Sequence, residues 1–281
     1  MDLSNILFWL GLGLLGVIFV LLHWPRERRN PIATSKFGKI IDRPSPNQDD
    51  RDGPVSILIQ HFTAMDTTEA AIQRLCDPAA KVSAHYVVGE DGQVYRLVPE
   101  DKRAWHAGVS FWRGHKNVNG TSIGIEIANK GDEVEGYAPY PQVQMDAVAE
   151  LTREILSRHD IPAQNVIGHS DIAPGRKPDP GPRFDWKWLY ESHDIGIWPT
   201  PEQQDYDASK TWADKDVRRA LTKYGYSTDV DLKTAIDAFQ RHFHQEVFFK
   251  GDDGVGKADA ETCARLAWLV RHKSNSADDV E

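Results

Sequence analysis

Residues 121–129 read TSIGIEIAN, and this short stretch sets the fold class. Side chains alternate along an extended chain, so Ile123, Ile125 and Ile127 share one face while Ser122, Gly124 and Glu126 share the other. β-Branched residues at period two predict a strand with one aliphatic side. Working towards the N-terminus, HYVVGEDGQVYRLV (85–98) predicts a hairpin that turns at Asp91-Gly92, and VSILIQHF (55–62) a buried strand. Between them MDTTEAAIQRLCD (65–77) predicts a helix capped by Asp66, with Glu69 in its first turn. Towards the C-terminus, residues 141–159 place Val148, Leu151 and Ile155 at helical spacing behind Pro141. VIGHS (166–170) is a further short strand, and FDWKWLYES (184–192) a helix that ends the domain. Strands interleaved with helices give an α/β domain over 55–191, a central mixed β-sheet flanked by helices.

The segment 192–213 reads as a linker. Beyond it Val217, Leu221 and Tyr224, then Ala235, Ile236, Phe239 and Phe243, then Cys263, Leu266 and Leu269 mark three apolar stripes. They predict a small three-helix domain over 214–271, followed by a tail, 272–281.

The 281 residues carry a net charge of −9 and no basic stripe, which argues against nucleic acid as a partner. Cys76 and Cys263 each sit in an apolar helical pattern and read as buried thiols rather than a disulfide. The run ILFWLGLGLLGVIFVLLHW (6–24) has no Asp, Glu, Lys or Arg. At about 1.5 Å per residue it reaches roughly 28 Å, enough to cross a bilayer's hydrocarbon core. No basic residue precedes it and no small-residue cleavage site follows, so residues 1–24 are expected to be an N-terminal transmembrane anchor and 25–54 a polar tether. Arg26, Arg28 and Arg29 follow the span, and the positive-inside rule would hold the main domain in the cytoplasm.

The chemistry concentrates in GHSDIAPGRKPDPG (168–181). Together with His61 at the end of its strand, His169 and Asp179 make two imidazoles and a carboxylate, a common zinc set with a position left for water. Such a site activates water and polarises a carbonyl. Glu126 could then handle a proton, and Lys177 could stabilise an oxyanion. Taken singly, each has a plainer reading: a strand-end histidine is more often structural, a strand glutamate solvated, a loop lysine surface charge. Asp171 reads as a loop-organising side chain.

The stretches LIQHFTA, SAHYVVGEDGQVYRLV, AWHAGVSFWRG, NGTSIGIEIAN and GHSDIAPGRKPDPGP occur here in one order. In that order they resemble the zinc-dependent N-acetylmuramoyl-L-alanine amidases of the amidase-2 family, relatives of the peptidoglycan recognition proteins. The resemblance runs from about Val55 to Tyr190. It implies one Zn2+ per chain on His61, His169 and Asp179, with Glu126 as catalytic carboxylate and Lys177 as transition-state stabiliser. It also implies a peptidoglycan or muropeptide substrate, cleaved between the lactyl group of N-acetylmuramic acid and L-alanine. His85, His106 and Trp112 fall in matching motifs and are expected along the substrate groove, whereas Trp105 reads as core. AIDAFQRHF (235–243) and DAETCARLAWL (259–269) resemble a three-helix peptidoglycan-binding domain, although its glycine-rich loop is reduced here to YSTDVDLKT (226–234). A wall substrate places the anchored domain on the periplasmic side of the inner membrane; the arginines favour the cytoplasmic face. The alternative function on the same fold is a non-catalytic peptidoglycan receptor, which has no need of the three metal ligands.

Overall fold

A computed structural model describes residues 38–273, except for 52, 132–135 and 252. The expected anchor, most of the tether and the tail lie outside the described residues. Among the described residues no helix is long and apolar enough to cross a membrane.

Among the described residues eight strands form: β1 (Ile41–Asp42), β2 (Gln48–Asp50), β3 (Ile57–Phe62), β4 (Tyr86–Val88), β5 (Val94–Arg96), β6 (Lys102–Ala104), β7 (Ser122–Ile127) and β8 (Val166–Gly168). The main sheet has the order β1-β5-β4-β7-β3-β8, and β2 pairs with β6 separately. β4 and β5 form the antiparallel hairpin, while β4, β7, β3 and β8 run parallel. The sheet is therefore mixed. β1 and β2 arise from sequence read as tether, so the folded domain begins before residue 55.

The two faces of the central strands have different cover. Ile123, Ile125 and Ile127 of β7 and Leu58 of β3 pack against Met145, Val148, Leu151 and Ile155 of the long helix Gln142–Arg158. Ile57 and Ile59, of opposite parity on β3, pack in a second core with Trp112, Ile167 and Ile172. That core continues through Val217, Leu221, Tyr224, Phe239 and Leu266 of the C-terminal helices Asp214–Tyr224, Leu232–Phe243 and Ala260–Lys273. The three predicted helices form, but they share a core with the sheet instead of enclosing one of their own. The segment read as linker contains a further helix, Gln203–Ser209, whose Asp205 takes a two-pronged hydrogen bond from Arg271.

Two local expectations shift. The helix Thr68–Cys76 is capped by Thr67, whose side chain accepts from the Ala70 amide, while Asp66 pairs with Lys130. His169 opens a single helical turn, His169–Ile172, because the Asp171 carboxylate accepts the Gly168 amide and closes that turn. Cys76 and Cys263 are free thiols.

Candidate metal centre and cleft

Paired residues of parallel strands lie on the same face, the strands' C-terminal ends lie along one side of the sheet, and ligands of such sheets bind beyond those ends. His61, near the end of β3, stands in register with Glu126 of β7. β8 pairs with the other side of β3 and ends at Gly168, so His169 emerges at the same edge. The loop then returns: the Ser170 amide donates to the Asp179 carbonyl at 2.8 Å, which brings Asp179 back beside His169.

His61 Nδ1, His169 Nδ1 and Asp179 Oδ2 form a triangle with every edge 3.0 Å. All three residues are buried, and they are a group able to hold a metal ion. The hydrogen bonds around them fix where the protons sit. His169 Nε2 faces only the Ala107 carbonyl, at 3.2 Å, and must donate to it, leaving Nδ1 bare. Ser122 donates its hydroxyl proton to the Val118 carbonyl at 2.6 Å, so its oxygen accepts from His106 Nε2. His106 Nδ1 is then an acceptor and takes the proton of His61 Nε2 at 3.0 Å. His61 Nδ1 is bare in turn.

Burial, and next the neighbouring His169, hold the His61 imidazole down to about 4 despite the pull of Asp179. Burial alone would raise Asp179, but His169 and His61 outweigh it and keep the carboxyl far below its ordinary range. The outer hydrogen bonds select the tautomers in which these three facing atoms keep lone pairs for an ion. Donors on a tetrahedral ion at about 2.0–2.1 Å stand roughly 3.3 Å apart, close to the spacing seen. The donor set fits a divalent cation.

Glu126 reaches the same cleft. Its Oε2 is buried without a hydrogen-bond partner. Burial first, then the charge of Asp179, push its carboxyl well above the usual range, against the opposing influence of Lys177. The cleft measures about 340 Å³, and its lining includes Glu126, Asp179, Lys177, Arg176, Trp105 and His106. Gly124 is required here: a Cβ on it would lie 2.6 Å from the His106 ring, which rests on that bare stretch of β7.

The remaining predicted contacts occupy different places. His106 meets both the cleft and His61. His85 is wholly buried, accepting the Gly124 amide on Nδ1 and meeting Arg51 and the Lys102 carbonyl at Nε2, so it secures β7 rather than lining the groove. Trp112 is also fully buried, edge-on to Tyr224 and Tyr226 and hydrogen-bonded to Asn165. The expected tryptophan roles are reversed: Trp105 is partly exposed at the cleft, its indole N–H fixed on Asp49, and Trp112 is core. Arg176 was not anticipated at the cleft. It donates to the Ala107 and Val109 carbonyls, and its place directly before Lys177 was the only signal for it.

The family model described as N-acetylmuramoyl-L-alanine amidase matches residues 51–182. The N-acetylmuramoyl-L-alanine amidase AmiD of Escherichia coli (strain K12) is 36% identical over 231 residues, covering 75% of this chain and 80% of that protein. The 1,6-anhydro-N-acetylmuramyl-L-alanine amidase AmpD of Enterobacter cloacae is 38% identical over 162 residues, covering 51% of this chain and 84% of its own length. The structure of E. coli AmiD with anhydro-N-acetylmuramic acid-L-Ala-D-gamma-Glu-L-Lys superposes with a TM-score of 0.69 at 33% identity, covering 81% of this chain and 94% of that one.

Proposed function

This chain belongs to the N-acetylmuramoyl-L-alanine amidase family, and from that membership we propose how its cleft works. The chain is an amidase that hydrolyses the bond between the lactyl group of N-acetylmuramic acid and L-alanine, in peptidoglycan or its fragments. The observation that carries this reading is the triangle of bare donors on His61, His169 and Asp179, with an unpartnered carboxyl on Glu126 in register beside it. One zinc ion on the three donors would supply Lewis acidity to the scissile carbonyl and the attacking water.

The chain's own groups divide the remaining work. Glu126 takes a proton from the water that adds to the lactyl carbonyl and returns it to the departing alanine nitrogen. Its low-dielectric setting raises its basicity, and a cation at the neighbouring donors moderates it. Lys177 lines the cleft and offers its ammonium to the oxygen that gains negative charge. The peptide leaves with a free amino group, and the lactyl group leaves as a carboxylate. Trp105 and Arg176 flank the entry with an aromatic face and a cation, suited to a sugar-peptide conjugate.

Glu126→Gln is expected to keep stoichiometric zinc while losing about 10²–10⁴-fold in kcat on a muropeptide. Turnover near wild type would overturn the assignment of Glu126. Chelation should abolish activity and added zinc restore it. A folded, metal-free protein that binds muropeptide without cleaving it would instead favour a receptor.

The uncharged run 6–24 supports a membrane tether, with the domain on the periplasmic side where intact wall is found. A reporter fused after residue 281 should be active only outside the cytoplasm. Activity confined to the cytoplasm would place the enzyme on soluble muropeptides instead.

A further inference from the structure

Asp171 lies two residues after His169 and is completely buried, and the hydrogen bonds of its carboxylate go to groups outside the donor triangle. Its Oδ2 accepts the Gly168 amide and faces His242 Nδ1, each at 2.8 Å. Its Oδ1 accepts the Tyr226 hydroxyl. Both side-chain partners come from the C-terminal module: Tyr226 follows the helix Asp214–Tyr224, and His242 belongs to Leu232–Phe243.

Neither partner is free to move. The His242 ring stacks on Trp186 at 4.0 Å and on Phe243 at 3.8 Å. Tyr226 is held edge-on by Trp112 at 5.3 Å. Two backbone bonds run alongside this linkage: the Phe111 amide donates to the Ile172 carbonyl, and the Arg113 amide to the Gly225 carbonyl. A buried carboxylate that lost one donor would keep an unmet acceptor at the full cost of its desolvation, so the loop that carries it would shift.

We propose that Asp171, Tyr226 and His242 form a positioning brace, through which the C-terminal module sets the spacing of His169, Lys177 and Asp179 on their shared loop. The module is thereby a working part of the metal site, whatever else it binds. This inference rests on the metal-dependent amidase reading. The brace touches neither substrate nor metal and acts only through the loop's backbone. Disturbing it therefore alters ligand geometry and kcat more than substrate affinity.

The test uses the full chain with three single variants. Tyr226→Phe and His242→Phe remove one donor each while keeping a ring in the stack, and Leu266→Ala weakens the same module at another core position. Each is loaded with Co2+ in place of zinc, and the visible absorption spectrum, the Co2+ dissociation constant by chelator competition, and kcat and KM on a muropeptide are measured well below the melting temperature. The expected result for Tyr226→Phe and His242→Phe is a changed spectrum, Co2+ binding weakened about tenfold, and kcat lowered about tenfold at nearly constant KM. Leu266→Ala should lower the melting temperature while leaving spectrum and kcat close to wild type.

Unchanged spectrum and kcat in both donor variants would overturn the brace. So would equal losses in Leu266→Ala, because they would trace to general loosening of the module. Failure of the amidase reading itself would be visible separately, as a wild-type protein that binds Co2+ and shows no turnover.

Discussion

A single proton sets the character of this site. The relay from His61 through His106 and Ser122 to the Val118 carbonyl leaves His61 Nδ1 bare, because each member can pass its hydrogen in one direction only. Groups that orient a metal-binding imidazole typically contribute 10–100-fold to metal affinity. His106→Ala should therefore weaken zinc binding by about that factor, measured by chelator competition, while the protein stays folded. Unaltered affinity would show that His61 needs no such partner. The pattern SIGIEI gave Gly124 no evident purpose. Its reason is the imidazole lying on it, a contact between residues eighteen positions apart in sequence, 106 and 124.

At the scale of elements, the long helix and the hairpin are pinned together by one carboxylate. Glu100 accepts from Arg158 at 2.6 Å, from the Tyr86 hydroxyl at 2.7 Å and from His159 at 2.7 Å. Burial by itself would raise its carboxyl, but these donors outweigh burial and hold it down to about 2. A carboxyl depressed on folding stabilises the native state above its unfolded value, near 4.3, and that contribution disappears as pH falls towards 2. Urea midpoints of the wild type should fall across this window more steeply than those of Glu100→Gln. Parallel curves would mean that the network contributes nothing to acid stability. The periodicity of residues 141–159 was enough to predict the helix. It could not reveal that Arg158 and His159, at its end, close onto Glu100.

For the whole molecule, the decisive fact is that the C-terminal helices cover the β3 face carrying Ile57 and Ile59. Each buried aliphatic or aromatic side chain contributes about 1.5–3 kcal/mol. Uncovering even a few removes a large part of the roughly 5–15 kcal/mol that stabilises a typical domain. A chain ending at residue 200 is expected to bind a hydrophobic dye and to melt at least 10 °C lower, or to be recovered only as aggregate. A truncated chain that melts like the intact one would restore the expected picture of a separable binding module.

Much of this protein was legible without coordinates. The strands at 55–62 and 122–127, the hairpin, the long helix and the three C-terminal stripes follow from local periodicity, since burial of one face imposes a repeat of two or 3.6 residues. That His61, His169 and Asp179 would gather, with Glu126 and Lys177 on the same cleft, was an expectation carried by motif order. Tertiary structure decided what depends on which surfaces meet. It placed Trp112 and His85 in the interior, brought Trp105 and Arg176 to the cleft, and drew residues 41–50 into the two sheets. It also gave Asp171 its partners, 55 and 71 residues further along the chain. Period and motif are properties of neighbouring residues, whereas burial and proton placement belong to contacts that exist only after the chain has closed on itself.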